Sequence, residues 1–208
     1  LVFAAGAASA FDLTGRVSGG IRVDDPRVDL DRVAAGPALG DDDVLFVSWT
    51  APLDGTADAG AVDVVRELGA KVWFTSGGSE SNETALKIAW QYWRARDEPD
   101  KTLIISRQFS YHGGTLGATS ISGSVFRRTP YEKVLHDWPR IAPCYAYRHK
   151  LEDETDHEYG HRAAAELDEA IRMAGPRNVA AFIAEPVVGA TLGVVPAVDG
   201  YFAEIRRI

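Results

Sequence analysis

The sequence predicts an α/β fold with a mostly parallel sheet, on three observations. Short apolar runs recur at Lys71-Val72-Trp73-Phe74-Thr75, Thr102-Leu103-Ile104-Ile105-Ser106 and Val179-Ala180-Ala181-Phe182-Ile183-Ala184, with the length and composition of buried strands. Helical periodicity follows the first run, where Ala85, Leu86, Ile88, Ala89, Tyr92 and Trp93 fall on one side, and precedes the third, at Arg162 to Met173. Glycine-bearing loops, Ser76-Gly77-Gly78-Ser79 and Tyr111-His112-Gly113-Gly114, sit after the first two runs. Alternating strand, loop and helix implies parallel strands with right-handed crossovers. Ligands in such sheets lie beyond the carboxyl ends of the strands, where both loops fall.

Residues 1–60 give the fewest signals. Val44 to Trp49 reads as one strand, and Asp24-Asp25-Pro26 and Ala51-Pro52-Leu53-Asp54-Gly55 read as turns. Asp41-Asp42-Asp43 lacks the spaced ligands and glycine of a Ca²⁺ loop and reads as a solvated turn. Leu1 to Ala10 ends in Ala8-Ser9-Ala10, like a leader-peptide cleavage site, but no basic segment or initiating Met precedes it. It is read as a clipped start, with secretion as the alternative.

Ala59 to Leu68 is a predicted helix stopped by Gly69. In the glycine turn that follows, two glycines let a bound group approach the backbone. The start of the next helix offers unpaired N–H groups and partial positive charge. Gly77, Gly78 and Ser79 thus form an anion cradle, or, equally, a β-turn capped by Ser79 with Glu80 and Glu83 offsetting the dipole. The spacing is neither G-x-x-x-x-G-K-[ST] nor G-x-G-x-x-G. Asp97-Glu98-Pro99-Asp100 ends the helix. A short helix is expected from about Thr115 to Ser122, and residues 123–160 as connection, with an exposed acidic run from Lys150 to Glu158. The helix from Arg162 to Met173 stops at Gly175-Pro176, and Tyr201, Phe202, Ile205 and Ile208 open a last helix.

A net charge of −8 argues against nucleic acid or an anionic membrane as partner. No run reaches the ~18 apolar residues of a membrane span. Cys144, the single cysteine, excludes an intrachain disulfide, fits a reducing, cytoplasmic compartment and reads as a buried thiol. His157-Glu158-Tyr159-Gly160-His161 is a literal H-E-x-x-H, which on a helix puts two zinc ligands on one face with Glu158 as general base. Its acidic surroundings, Gly160 and the lack of a downstream third histidine favour a solvated loop or first helical turn.

Three ordered stretches carry a resemblance. Phe74-Thr75-Ser76-Gly77-Gly78-Ser79-Glu80-Ser81-Asn82-Glu83-Thr84-Ala85-Leu86-Lys87, Ser110-Tyr111-His112-Gly113-Gly114-Thr115-Leu116-Gly117-Ala118 and Ala181-Phe182-Ile183-Ala184-Glu185-Pro186-Val187-Val188-Gly189-Ala190, continuing to Pro196 and Gly200-Tyr201, resemble class III aminotransferases, which depend on pyridoxal 5'-phosphate (PLP). The resemblance implies a partial fold type I large domain over residues 61–208, truncated, preceded by a poorly assignable segment over 1–60. It implies transfer of an amino group from an amine or amino acid to a keto acid, in a homodimer when full length. By position, Gly77, Gly78 and Ser79 match the holders of the cofactor phosphate. Tyr111 matches the aromatic that stacks on its ring, His112 is the second choice beside it, and Glu185 is a polar site residue. Gly78 and Ser81 stand where many members have Ser and Ala.

The family's Schiff-base lysine and pyridine-nitrogen Asp have no match. Lys71, Lys87, Lys101, Lys133 and Lys150 all lie in other contexts. The chain is therefore read as an inactive fragment that aggregates or needs a partner. The alternatives are a remnant that binds PLP or phosphate without turnover, and a zinc hydrolase using the H-E-x-x-H residues.

Overall fold

The computed structural model describes Thr75 and residues 77–208, together with the backbone of three short upstream strands. Those strands are β1 (Val2–Ala4), β2 (Arg16–Val17) and β3 (Ile21–Arg22). The strand predicted at Val44–Trp49, the helix at Ala59–Leu68 and all but Thr75 of the strand at Lys71–Thr75 lie outside the described residues.

The described chain then runs α1 (Gly78–Ala95), β4 (Leu103–Arg107), α2 (Leu116–Ile121), α3 (Val125–Arg128), β5 (Arg140–Ile141), α4 (Ala146–His149) and α5 (Asp156–Ala174). It finishes with β6 (Val179–Ala184), the β7 (Val187–Val188) and β8 (Val195–Pro196) ribbon, and α6 (Tyr201–Arg207). A parallel sheet of order β1-β6-β4-β5 forms the centre. Val2 to Ala4, read from sequence as a leader-like start, pairs in register with Phe182 to Ala184.

Both faces of this sheet are covered, which is why β4 and β6 read as unbroken apolar runs rather than alternating ones. Ile104, Ala181 and Ile183 face a core shared with Ala85, Leu86 and Ala89 of α1 and Ile121 of α2. Ile105, Phe182 and Ala184 face the other core, with Tyr159, Ala163, Ala164 and Leu167 of α5 and Tyr201 and Ile205 of α6. Cys144 packs into this second core, and burial raises its thiol pKa. The period of two along each strand assigns these residues to opposite sides.

The β4–β6 register shifts between Leu103, paired with Val179, and Ile104, paired with Ala181. Ala180 is the extra residue of this bulge. Its carbonyl accepts a hydrogen bond from the Trp93 indole N–H at 2.6 Å, while Trp90 donates to the Thr102 carbonyl at 3.0 Å. Two indoles of α1 therefore clip the starts of both central strands. The helix ends as the Asp97-Glu98-Pro99 signal requires. Asp97 takes φ 59°, its N–H bonds the Arg94 carbonyl, and that of Glu98 bonds the Trp93 carbonyl.

Two expectations change. The segment 123–160 contains a strand, β5, held beside β4 by the Ser106–Arg140 and Arg107–Ile141 pairs. And α5 begins at Asp156, six residues before the predicted Arg162. Thr155 and Glu158 form a capping box: the Glu158 N–H donates to Thr155 Oγ1, and the Thr155 N–H returns to the Glu158 carboxylate at 2.8 Å. That nucleus overrides the polar character of the first turns. Gly175 then ends the helix as predicted.

Replacing Thr155 with Ala should cost about 1 kcal/mol of unfolding free energy in urea, and replacing it with Ser only a few tenths. Equal losses for both would refute the capping role. Trp93→Phe keeps an aromatic ring but removes the indole N–H and leaves the bulge carbonyl unpaired. It should cost about 1 kcal/mol in the same measurement.

Candidate functional site

The carboxyl ends of β4 and β6, neighbours in the sheet, deliver two charged residues at one point. Arg107 closes β4 and is 1% exposed; Glu185 follows β6 and is 0% exposed. Arg107 donates through Nη2 to the Glu185 carbonyl. Its guanidinium carbon lies 5.9 Å from the Tyr201 ring centre and 6.0 Å from that of Phe202. The Glu185 carboxylate accepts the Tyr111 N–H at 2.9 Å and the Gly189 N–H at 3.4 Å. Burial raises its pKa, while those two N–H groups and the Arg107 charge oppose the rise.

The loop from β4 to α2 is thereby tied to β6, and a second set of bonds ties it to α1. The Asn82 side-chain amide donates to the His112 carbonyl at 2.6 Å. The Gly114 N–H donates to Ser79 Oγ at 2.9 Å. Gly113 stands between, at φ +135°, where a Cβ would lie 2.4 Å from Ser79 Oγ and 2.8 Å from Ser79 Cα. Only glycine allows this approach. The loop also contains Phe109 at φ 58°, a left-handed conformation uncommon for an aromatic residue.

The glycine turn differs in one respect from its sequence reading. Gly77, not Ser79, occupies the cap position, and Ser79 lies inside the first turn. Its hydroxyl accepts from Gly114 and keeps its own hydrogen to donate. Ser81 donates the first intrahelical bond, to the Gly77 carbonyl, so the N–H groups of Gly78 and Ser79 precede the helical ladder. A Cβ built on Gly77 or Gly78 meets nothing within 4 Å among the described residues. Among the described residues, packing does not demand these glycines, and no described atom fills the space a Cβ would take.

Glu83 also acts differently from its sequence reading. Rather than offset the dipole of its own helix, it accepts the Gly117 and Ala118 N–H groups at 2.9 and 3.2 Å, at the start of α2. Tyr111 is half-buried, with the Arg127 guanidinium 4.5 Å from its ring centre. His112 is buried, and neither ring nitrogen finds a hydrogen-bond partner among the described residues. Desolvation, then the nearby Arg107 charge, push its pKa down to about 3. Its imidazole is neutral at pH 7.

The structure brings Gly77, Gly78, Ser79, Tyr111, His112 and Glu185, the residues named from sequence, together at one end of the sheet. Sequence reasoning missed Arg107 and Asn82. The signal for Arg107 was a charge closing an apolar strand; Asn82 gave none, because its partner is 30 residues away. The described lysines lie elsewhere: Lys87 and Lys133 are exposed, Lys101 donates to the Pro176 carbonyl, and Lys150 pairs with Asp156. The zinc-hydrolase alternative loses its base, since the Glu158 carboxylate is taken by the Thr155 cap. Among the described residues no group of three or more His, Cys, Asp or Glu is arranged to hold a metal, and no helix is long and apolar enough to cross a membrane.

Comparison with known proteins agrees with this arrangement. Residues 55–208 match the family Aminotransferase class-III. An uncharacterised aminotransferase of Schizosaccharomyces pombe is 44% identical over 140 residues, covering 67% of this chain and 30% of the relative. Gamma-aminobutyrate transaminase 1, mitochondrial, of Oryza sativa subsp. indica is 42% identical over 147 residues, covering 69% of this chain and 27% of the relative. Among solved structures, an omega-aminotransferase from Paracoccus denitrificans superposes with a TM-score of 0.58 at 34% identity, over 64% of this chain and 29% of that one. The omega transaminase from Pseudomonas jessenii in complex with PMP gives 0.59 at 33% identity, with the same 64% and 29% coverage. The architecture is thus that of fold type I transaminases, and the chain spans about 30% of the length of the curated relatives it matches. With three ordered motifs hydrogen-bonded together at one end of a parallel sheet, and a match that runs from residue 55 to 208, the chain belongs to the class-III aminotransferase family.

Proposed function

We propose that this chain carries the cofactor-cradling part of a PLP-dependent aminotransferase that moves an amino group from an amine or amino acid to a keto acid. One observation carries the reading: the bonds Ser79–Gly114, Asn82–His112 and Tyr111–Glu185 draw a glycine cradle, an aromatic ring and a buried carboxylate together beyond β4 and β6. PLP, when bound, supplies an electron-withdrawing ring that stabilises negative charge on a substrate carbon.

The residues fit that group. The N–H groups of Gly78 and Ser79 and the free hydroxyl hydrogen of Ser79 would hold a phosphate, helped by the positive end of α1. Tyr111 would offer its ring to a flat heterocycle, in the offset geometry that aromatic faces prefer. His112 would border the site as a neutral donor or acceptor, its ring nitrogens being unpaired. Glu185 positions the Tyr111 backbone through its carboxylate, and that positioning is the role assigned to it.

A second reading, cofactor binding without turnover, is favoured by the lysines. Each described one is exposed or engaged away from the cradle, so none is given a role in the chemistry. A homodimer is part of the proposal. It is supported by apolar side chains left outside, among them Phe126 at 89% and Val125 at 70% exposure. A cytoplasmic setting is proposed on the buried single thiol and the net charge of −8.

Near-visible absorbance titration with PLP tests the cradle. A Cβ at Gly78 meets no described atom within 4 Å, so Gly78→Val should leave melting nearly unchanged while affinity falls at least ~10-fold. Tyr111→Ala should weaken PLP more than inorganic phosphate. Unchanged affinity in Gly78→Val would overturn the reading.

His112 gives a pH signature. Its folded-state pKa lies below the ordinary value near 6.5, so between about 3 and 6.5 the unfolded chain binds a proton that the folded chain does not. Stability is therefore present above pH 6.5 and falls as pH drops through that window. From pH 6.5 to 5.0 the wild type should lose on the order of 1.5 kcal/mol more than His112→Asn in urea unfolding. Parallel pH profiles for the two would refute it.

A further inference from the structure

We propose that His157 and His161 form a two-histidine site for a late first-row divalent cation, one that clasps α6 to α5. The two residues lie one turn apart near the start of α5, with side chains 60% and 45% exposed. Their Nε2 atoms are 3.1 Å apart and their ring centres 4.5 Å apart. Two nitrogens ~2.0–2.1 Å from one ion stand about 2.9 Å apart at a right angle and about 3.3 Å apart at a tetrahedral one. The observed separation falls between.

The outer nitrogens have carboxylates facing them. His157 Nδ1 lies 3.2 Å from Asp199 Oδ2, and His161 Nδ1 lies 3.4 Å from Glu204 Oε2. At His157, a hydrogen on Nδ1 donated to Asp199 leaves the Nε2 lone pair for a metal, while Glu204, whose two oxygens accept from Arg207, places negative charge beside the His161 ring. The 3.1 Å contact between the two Nε2 atoms is a hydrogen bond in the metal-free chain, and a cation would take the place of its bridging proton.

Two glycines build the wall behind the rings. A Cβ on Gly160, between the two histidines, would lie 2.3 Å from the Asp199 carbonyl. The glycine that counts against a helix in sequence thus lets the Asp199 loop reach α5. Gly200, at φ +80°, would place a Cβ 2.8 Å from His157 Nδ1 and 3.2 Å from His161 Cδ2. Asp199 and Glu204 belong to the α6 side of the contact, so an ion on the two Nε2 atoms tightens α6 against α5 through both rings. The site is not hydrolytic, because Glu158 is held in the helix cap. The protein supplies two ligands and water the rest. Imidazole pairs of this kind prefer Cu²⁺ and Ni²⁺ to Mn²⁺ or Fe²⁺.

The test is calorimetric titration of the metal-stripped chain with Ni²⁺ and Zn²⁺, with imidazole ¹⁵N spectra to identify the bound atoms. One Ni²⁺ per chain should bind with micromolar affinity, shift the Nε2 resonances of His157 and His161, and raise the melting temperature. His157→Asn or His161→Asn should each weaken binding at least ~10-fold, and His149→Asn should leave it unchanged. Asp199→Asn should weaken it less, acting through ring orientation. Binding that survives both histidine variants, or no saturable binding in the micromolar range, would overturn the site and leave a proton-bridged pair.

Discussion

One buried carboxylate organises this molecule. Glu185 is fully withdrawn from water at the end of β6, and its oxygens accept the backbone N–H groups of Tyr111 and Gly189. An unpaired buried charge is costly, so the loops that satisfy it are not free to move away. Arg107, equally buried on the next strand, bonds the backbone carbonyl of the same residue and places its charge nearby. The β4–β6 register sets where these two residues meet, and the two cores on either side of the sheet hold that register.

The glycine turn inherits its position from this arrangement. With the loop after β4 pinned by Glu185, Asn82 and Ser79 of α1 bond the same loop from the other side. The start of α1 is therefore aimed by two residues of one short loop, His112 and Gly114, although it belongs to the element that is first of the three in sequence. Ser106 Oγ, Arg107 Nε and the His112 ring remain buried without hydrogen-bond partners among the described residues. Each such atom costs about 1–3 kcal/mol. They concentrate on the same few residues, where a bare hydrophobic core would not put them.

What the sequence made legible follows from how local the cause was. The strands β4 and β6 could be read because burial on both faces imposes an unbroken apolar run, and α1 because its buried face repeats at 85, 86 and 89. The glycine motifs and Glu185 could be read because their residue order resembles a known family. β5 could not be read: its two residues, flanked by Pro139 and Pro143, are a strand only because β4 lies beside them. The early start of α5 was missed although Thr155-x-x-Glu158 is a local signal. Hydrophobic periodicity is weak there, because the first two turns bury only Tyr159 and Gly160. The roles of Glu83 and Asn82 depend on partners 30 or more residues away, which no local pattern announces.

Gly160 shows how the same residue misleads in sequence and explains in structure. Within His157-Glu158-Tyr159-Gly160-His161 a glycine weakens the helical reading, because its conformational freedom costs helix stability. In the fold it is where the chain before α6 crosses α5 at a distance no side chain would permit. Tyr159, its neighbour, turns inward to the core and accepts the Tyr145 N–H at 2.8 Å, while His157 and His161 turn outward to Asp199 and Glu204. The helix therefore spends its inward face on packing and its outward face on a polar contact with α6. The capping box at Thr155 supplies the local stability that Gly160 removes. The motif shares its histidine pair with a zinc-protease helix but not its hydrolytic chemistry, because the fold assigns its glutamate to the cap and its glycine to a crossing.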